Sequence, residues 1–260
     1  MWKQELEAAT HAAKEAGEFL HRNLGKQTSV SYKGEIDLVT EMDKKAQELI
    51  IKKLSSFFPS HDFMAEEDFS KIKGSDYRWI IDPLDGTTNY AHGLPIYCIS
   101  IALEEKKEIV LGIVFFPPSS EIFSASKKRG AFLNGKKLCV SNTKRLERSL
   151  IATGFPYDVR TSPQNNINHF NHFVTKAQAI RRCGSAALDL CYVACGRFDG
   201  FWELKLNPWD VAAGALIVEE AGGKVTDFKG NDFDLYGQEI LASNGNIHKE
   251  MVQVLTGEKY

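Results

Sequence analysis

Apolar residues return every three or four positions through Trp2, Leu6, Ala9, Ala13, Ala16, Leu20 and Leu24, which marks one face of a helix. A second helix is predicted after Thr40. Its apolar face carries Met42, Ala46, Leu49, Ile50, Leu54 and Phe57, and Pro59 lies just beyond its end. The period then changes. Residues 77–81, 96–103 and 108–116 are β-branched and aromatic runs, and Asn134-Gly135 between 130–133 and 137–140 is a hairpin signal. The second half alternates. Helices are predicted near 163–177, at 185–195, from Pro208 to Gly222-Gly223 and from Ile247 onward. Strands are predicted near 179–182, 199–202, 224–227 and 239–242. The mixture predicts a layered α+β fold in one unit of two halves, an α+β half over about 1–145 and an α/β half over about 146–260. Residues 155–171 are polar, with two prolines and several asparagines, and read as a loop with a variable helix.

Composition narrows the classes. The chain has 260 residues, 34 acidic and 32 basic, for a formal net charge of −2. So even a balance exerts no general pull toward nucleic acid or an anionic membrane surface. At 43% apolar and 25% charged residues, collagenous, disordered and low-complexity classes are excluded. A chain this long buries roughly three quarters of its unfolded surface, which leaves room for a deep cleft. Residues 1–6 lack the apolar core of a signal peptide, and no apolar run approaches the roughly 18 residues of a membrane span. The five cysteines form no C-x-x-C pair and read as small buried hydrophobes in a reducing, cytoplasmic setting.

The densest chemical signal is W-I-I-D-P-L-D-G-T-T-N-Y, from Trp79 to Tyr90. Here the strand is predicted to end at Asp82, because Pro83 cannot extend a ladder. Asp82 and Asp85 then share a tight turn, where Gly86 permits close backbone approach. Carboxylates forced together repel unless protons or cations separate them, and their hard oxygens suit Mg²⁺ or Mn²⁺. The amides of Gly86, Thr87 and Thr88 could hold a phosphate. The plainer alternative is a capped turn, which uses the same residues.

Other segments carry the same two readings. Glu66-Glu67-Asp68 follows a short apolar stretch and is either a solvated loop or a completion of the Asp82–Asp85 site. In Asn207-Pro208-Trp209-Asp210, Asn207 is a fair N-cap and Pro208 fits the first helical position. Asp210 then either complements the helix dipole or faces a cation. Its neighbours Ala212, Ala213 and Gly214 allow close helix packing. Thr40-Glu41-Met42-Asp43 matches a capping box, so Asp43 either caps its helix or holds a water beside a metal. Gly184, Ser185 and Ala186 form a turn into a helix that offers backbone donors. Glu203 either accepts bonds from sugar hydroxyls or is a strand-end acid in solvent. No P-loop, dinucleotide fingerprint or G-x-S-x-G is present.

Taken together, these motifs resemble the inositol monophosphatase family of Mg²⁺-dependent sugar phosphatases. The acid pair, W-I-I-D-P-L-D-G-T-T-N-Y, W-D-V-A-A-G and E-E-A-G-G occur in family order, and the resemblance covers essentially the whole chain. It implies a layered αβαβα sandwich, a homodimer, inhibition by Li⁺ and two to three Mg²⁺ ions, with Mn²⁺ as a substitute. It implies that Glu66, Asp82 and the carbonyl of Leu84 bind one metal and that Asp82, Asp85 and Asp210 bind a second. Glu66, with water ligands near Asp43, would hold a third. Thr87 with Glu66 would orient the attacking water, and the amides of Gly86 and Thr87 would grip the phosphate. Asp85, Gly184, Ser185, Ala186, Glu203 and Asp210 would line the pocket for the alcohol. The expected substrate is myo-inositol-1-phosphate or a related small polyol phosphate. Fructose-1,6-bisphosphate, histidinol phosphate and 3′-phosphoadenosine 5′-phosphate are rivals within the superfamily, and a non-catalytic binding protein on the same fold is the rival from another class.

Overall fold

The computed structural model describes residues 2–26, 30–32, 38–67 and 69–257, so Asp68, the last acid of Glu66-Glu67-Asp68, lies outside the described residues. The chain opens with α1 (Lys3–Asn23), β1 (Val30–Tyr32), β2 (Leu38–Thr40) and α2 (Glu41–Phe57). There follow β3 (Asp62–Ala65), β4 (Phe69–Lys71), β5 (Tyr77–Asp85), α3 (Thr87–Ala91), β6 (Cys98–Glu105), β7 (Glu108–Phe116), β8 (Glu121–Ser126), β9 (Ala131–Leu133) and β10 (Lys136–Lys137). The second half contains β11 (Leu150–Thr153), α4 (Ile167–Val174), β12 (Ala179–Arg181), α5 (Ala186–Ala194), β13 (Gly200–Leu204), α6 (Pro208–Glu220), β14 (Lys224–Thr226), β15 (Glu239–Ser243) and α7 (His248–Thr256).

Eight strands form one sheet in the order β10-β9-β8-β7-β6-β5-β3-β4, and five form another in the order β12-β11-β13-β15-β14. Helix α1 buries the side its pattern marks, whereas α2 buries Met42, Ala46, Ile50 and Leu54 of its marked side and leaves Phe57, at its end, 62% exposed. Ala9, Ala13, Ala16 and Leu20 of α1 are buried with α2 against one face of the large sheet, while Trp2, Leu6 and Leu24 flank that core. Helices α5 and α6 are apolar all round because they lie between the two sheets and are covered on every side. The third core closes α4 and α7 over the far face of the small sheet. The layers therefore run helix, sheet, helix, sheet, helix. Small residues set the spacing of the central layer. A Cβ on Gly112 of β7 would lie 2.7 Å from the carbonyl oxygen of Ala213, and one on Gly214 would lie 2.6 Å from the Leu190 side chain. This is the close packing expected of Ala212-Ala213-Gly214.

Strand β5 runs past the predicted stop at Asp82. Its pairing with β6 shifts between Asp82, opposite Ser100, and Asp85, opposite Cys98. Two β5 residues thus face a single β6 residue, which is a bulge, and Pro83 sits in it without breaking the strand. The bulge has a functional consequence. Residues three apart on a regular strand point to opposite faces. One extra residue cancels that alternation and turns both carboxylates toward the same side.

Five strands, β1, β2, β4, β8 and β11, are not among those predicted, and the first three are only three residues long. β8 interleaves Ser and Glu with its apolar residues, and β11 is only four residues long, so neither stands out as a β run. Nor are the cysteines uniformly buried: Cys98 and Cys191 are, Cys183 and Cys195 are half-buried, and Cys139 is exposed. Among the described residues no helix is long and apolar enough to cross a membrane.

One buried histidine makes stability sensitive to acid. His248 is 4% exposed, with Ser243 Oγ 2.8 Å from Nδ1 and Thr226 Oγ1 2.9 Å from Nε2. Burial, helped by Lys224, lowers its pKa to about 4. Between that value and the ordinary 6.5, the unfolded chain binds a proton that the folded chain refuses. Stability from this group is therefore complete above pH 6.5 and is lost as pH falls toward 4. Thermal unfolding of the wild type and of His248→Gln across this window is expected to show a shallower acid loss in the variant. Parallel curves would refute the assignment.

Candidate active site

The site forms where β3 and β5 end and α5 and α6 begin. Asp82 is 1% exposed, while Glu66, Asp85 and Asp210 are half-buried around it. Burial raises the Asp82 pKa well above the ordinary carboxylate range, and its strongest charge effects all come from carboxylates, namely Glu66, Asp85 and Asp210. Asp210 is raised well above the usual range by the same causes, burial first, then Asp85 and Glu66. These four acids are one electrostatic group, although they come from sequence positions up to 144 apart.

The carboxylates of Asp82, Asp85 and Asp210 are aimed by hydrogen bonds. Asp82 Oδ1 accepts the Leu84 amide at 2.9 Å across the bulge. Asp85 Oδ2 accepts Ser185 Oγ at 2.7 Å and the Ala187 amide at 2.8 Å, so the acid of β5 caps α5 from another strand. Ser185 is the N-cap by position, but its hydroxyl is given to Asp85. Asp210 Oδ2 accepts the Asn207 amide at 2.7 Å in a capping box. The capping reading of Asp210 therefore holds, and the same carboxylate also lies among the other acids. Glu66 is held through its neighbour. The Glu67 amide donates to Gln47 Oε1 at 3.0 Å, and Gln47 Nε2 returns a bond to the Glu67 carbonyl at 3.1 Å.

Asp43 belongs to the site as well. It is fully buried, and Thr87 Oγ1 lies 3.1 Å from its Oδ1 and 3.0 Å from the Leu84 carbonyl. One hydroxyl proton serves either acceptor, which leaves the oxygen's lone pairs to accept from a water. Helix α3, which carries Thr87, is pinned to α1 by Tyr90, whose hydroxyl donates to the Leu20 carbonyl at 2.8 Å. Gly86 before it has φ +96°, a conformation that favours glycine.

A cleft leads from Asp85 and Asp210 past Gly184, Ser185 and Ala186 to Glu203. Glu203 is buried, and its pKa is pushed up to about 8 by burial and then by Asp189 and Asp85, against Arg182. A Cβ on Gly154 would collide with the Glu203 carboxylate, so this glycine makes the space the acid occupies. The structure thus brings Asp43, Glu66, Asp82, Leu84, Asp85, Thr87 and Asp210 together with Gly184, Ser185, Ala186 and Glu203, while Glu219 and Glu220 lie at the other end of α6.

It also shows contacts to which the motifs assigned no role. Asn89 Nδ2 donates to the Ile96 and Cys183 carbonyls at 2.8 Å each, stapling the loop after β5 to the turn before α5. Asn166 lies in the polar 155–171 segment. It donates to Thr153 Oγ1 at 2.8 Å and to the Gly154 carbonyl at 2.6 Å, and it accepts Trp202 Nε1 at 2.8 Å. Lys205 Nζ ties the same segment down through Asp158 at 2.6 Å and Ser162 at 2.8 Å. Phe155, Pro156 and Tyr157 line the cleft, so that segment is its rim. Asp189 lines it too. Its signal was legible: a lone acid in the apolar run A-A-L-D-L-C.

Whether the acids fit a metal is a question of donor chemistry. Among the described residues no three His, Cys, Asp or Glu side chains are gathered tightly enough to hold an ion as they stand. Mg²⁺ does not need such a cage, because it keeps several waters and is held by one or two carboxylates. The donors are all oxygen, and like charges are buried together, a combination that positive charge relieves. The set fits Mg²⁺ or Mn²⁺.

The whole chain has close relatives. The model of the Inositol monophosphatase family matches residues 1–259. Inositol monophosphatase 2 of Solanum lycopersicum is 42% identical over 261 residues, covering 96% of this chain and 97% of that one. The Nus factor SuhB of Pseudomonas aeruginosa is 43% identical over 257 residues, covering 96% and 95%. The crystal structure of the extragenic suppressor protein suhB from Bartonella henselae superposes with a TM-score of 0.94 at 40% identity, covering 99% of this chain and 100% of that one.

Proposed function

The chain belongs to the inositol monophosphatase family and is a phosphoric monoester hydrolase, and from that premise we propose that it hydrolyses myo-inositol-1-phosphate, or a closely related polyol phosphate, with Mg²⁺ bound by the acids of β3, β5 and α6. The observation that carries this reading is the carboxylate group Glu66, Asp82, Asp85 and Asp210 at one end of a cleft that reaches a buried acid, Glu203. Bound Mg²⁺ supplies charge neutralisation for the phosphate dianion and for the leaving oxygen.

The protein's own residues do the rest. Glu66, Asp82 and the Leu84 carbonyl would hold one ion, and Asp82, Asp85 and Asp210 a second. A third would be held more loosely by Glu66 and waters near Asp43. Thr87 gives its proton to Asp43 and accepts from the attacking water, and Glu66 faces the same water. The amides of Gly86 and Thr87 bind phosphate oxygens. Gly184, Ser185, Ala186 and Glu203 seat the alcohol. No side-chain nucleophile is required, because little covalent work falls to the protein in phosphoryl transfer. Glu203 offers acceptor oxygens to alcohol hydroxyls, which favours a hydroxyl-rich polyol over an adenine nucleotide. The same reading carries a cytoplasmic, Li⁺-sensitive homodimer.

The test is phosphate release from a panel of polyol, sugar and nucleotide phosphates, with Mg²⁺ and with chelator. Release from inositol phosphate is expected only with Mg²⁺ and faster than from fructose-1,6-bisphosphate. Equal turnover of the bisphosphate would show the substrate assignment to be too narrow. Metal-independent release would refute the metal assignment.

A further inference from the structure

Asp189 is the one acid of the cleft that the steps above leave unused. It lies in the first turns of α5 and is 1% exposed. Its Oδ1 has no hydrogen-bond partner. The Cys183 thiol is its bonding neighbour, and Arg182 acts on it from the rim. The plain explanation for an acid early in a helix is capping. That role is already filled, because the Ala187 amide is taken by Asp85. An oxygen buried without a donor costs free energy unless something arrives to bond it. Asp189 lines the cleft beside Ser185 and Glu203, near enough to Glu203 for the one acid to act on the other.

We propose that Asp189 is a specificity-determining residue whose unpartnered carboxyl oxygen accepts a substrate hydroxyl next to the one held by Glu203, so that the cleft selects alcohols bearing adjacent hydroxyls. This rests on the polyol-phosphatase reading above. Two neighbouring acceptor acids match two neighbouring hydroxyl donors, and neither serves an alcohol that lacks them.

The experiment compares wild type, Asp189→Leu and Asp189→Asn, as full chains with saturating Mg²⁺. The substrates are myo-inositol-1-phosphate and p-nitrophenyl phosphate, whose leaving group carries no further hydroxyl, and the melting temperature of each protein is recorded. Asp189→Leu is expected to raise KM for the inositol ester by about 10- to 100-fold, with kcat within about 3-fold, and to leave p-nitrophenyl phosphate hydrolysis within about 2-fold. Asp189→Asn keeps an acceptor oxygen and is expected to stay within about 5-fold of wild type on both. Asp189→Ala replaces the leucine variant if that one does not fold. Equal losses on both esters, a loss confined to kcat, or no loss on the inositol ester overturns the proposal. A wild type that cleaves p-nitrophenyl phosphate and no polyol phosphate overturns the substrate reading, and this inference falls with it.

Discussion

Asp82→Asn is expected to abolish phosphate release while making the metal-free protein more stable. Asp82 is fully buried, and its pKa is raised by burial and by Glu66, Asp85 and Asp210 in turn. Buried like charges destabilise a fold that contains no cation to separate them. Asparagine keeps the shape, and its oxygen still accepts the Leu84 amide. It removes one negative charge from the centre of the group. Without metal, the variant should therefore melt several degrees higher than wild type, at roughly 2–4 °C per kcal/mol for a chain of this size. Added Mg²⁺ should raise the wild-type melting temperature and move the variant much less, because ligand stabilisation follows affinity. Turnover should fall by about 1000-fold or more, since the charge that neutralises the transferring phosphate is no longer anchored. The paired measurement is thermal unfolding with chelator and with Mg²⁺, alongside phosphate release. A variant less stable than wild type in chelator, or one retaining a tenth of its activity, contradicts the assignment of this group as a metal site.

Gly86→Ala is expected to lose both stability and activity. The residue sits at φ +96°, where a side chain is strained at a cost of about 1–2 kcal/mol. Space is a second problem. An added Cβ would lie 2.8 Å from the Ile96 carbonyl oxygen and 3.3 Å from the Gly184 carbonyl oxygen. Both neighbours are backbone, so the loop after β5 must move. Moving it displaces Thr87 and Asp85 together. A shift of about 1 Å at such a site costs on the order of 100-fold in rate. Gly245→Ala is the control, because that glycine has φ +82° and nothing within 4 Å of an added Cβ. Denaturant unfolding should show a larger loss for Gly86→Ala than for Gly245→Ala, with only the former losing turnover. Equal stability losses would mean that the steric argument is wrong.

Much of this site was legible because its acids sit next to punctuation. Pro83 and Gly86 frame Asp82 and Asp85, and Asn207-Pro208 announces the helix that carries Asp210. The two readings of Asp43 could not be separated in the sequence, since its partner Thr87 lies 44 residues away. Gln47, Asn89 and Asn166 have no role in the sequence reading for the same reason: amides that hold distant carbonyls carry no local signature. The bulge in β5 was also missed. Proline ordinarily ends strand pairing, and only the shifted register of β6 shows that pairing resumes beyond it.

Period and punctuation by themselves determined the helical faces of α1 and α2, strand β7 with its bounds, the all-round apolar α6 and the acids available for a cation. These are properties of neighbouring residues, and local sterics and burial dictate them. The tertiary structure alone decided which acids meet. Glu66, Asp82, Asp85 and Asp210 become one group because β3 and β5 end where α5 and α6 begin, with one extra residue in β5 turning Asp85 to the same side as Asp82. It also placed Asp189 and the 155–171 rim beside Glu203. Charges interact through space, so their effect on one another depends on distances that chain order does not contain.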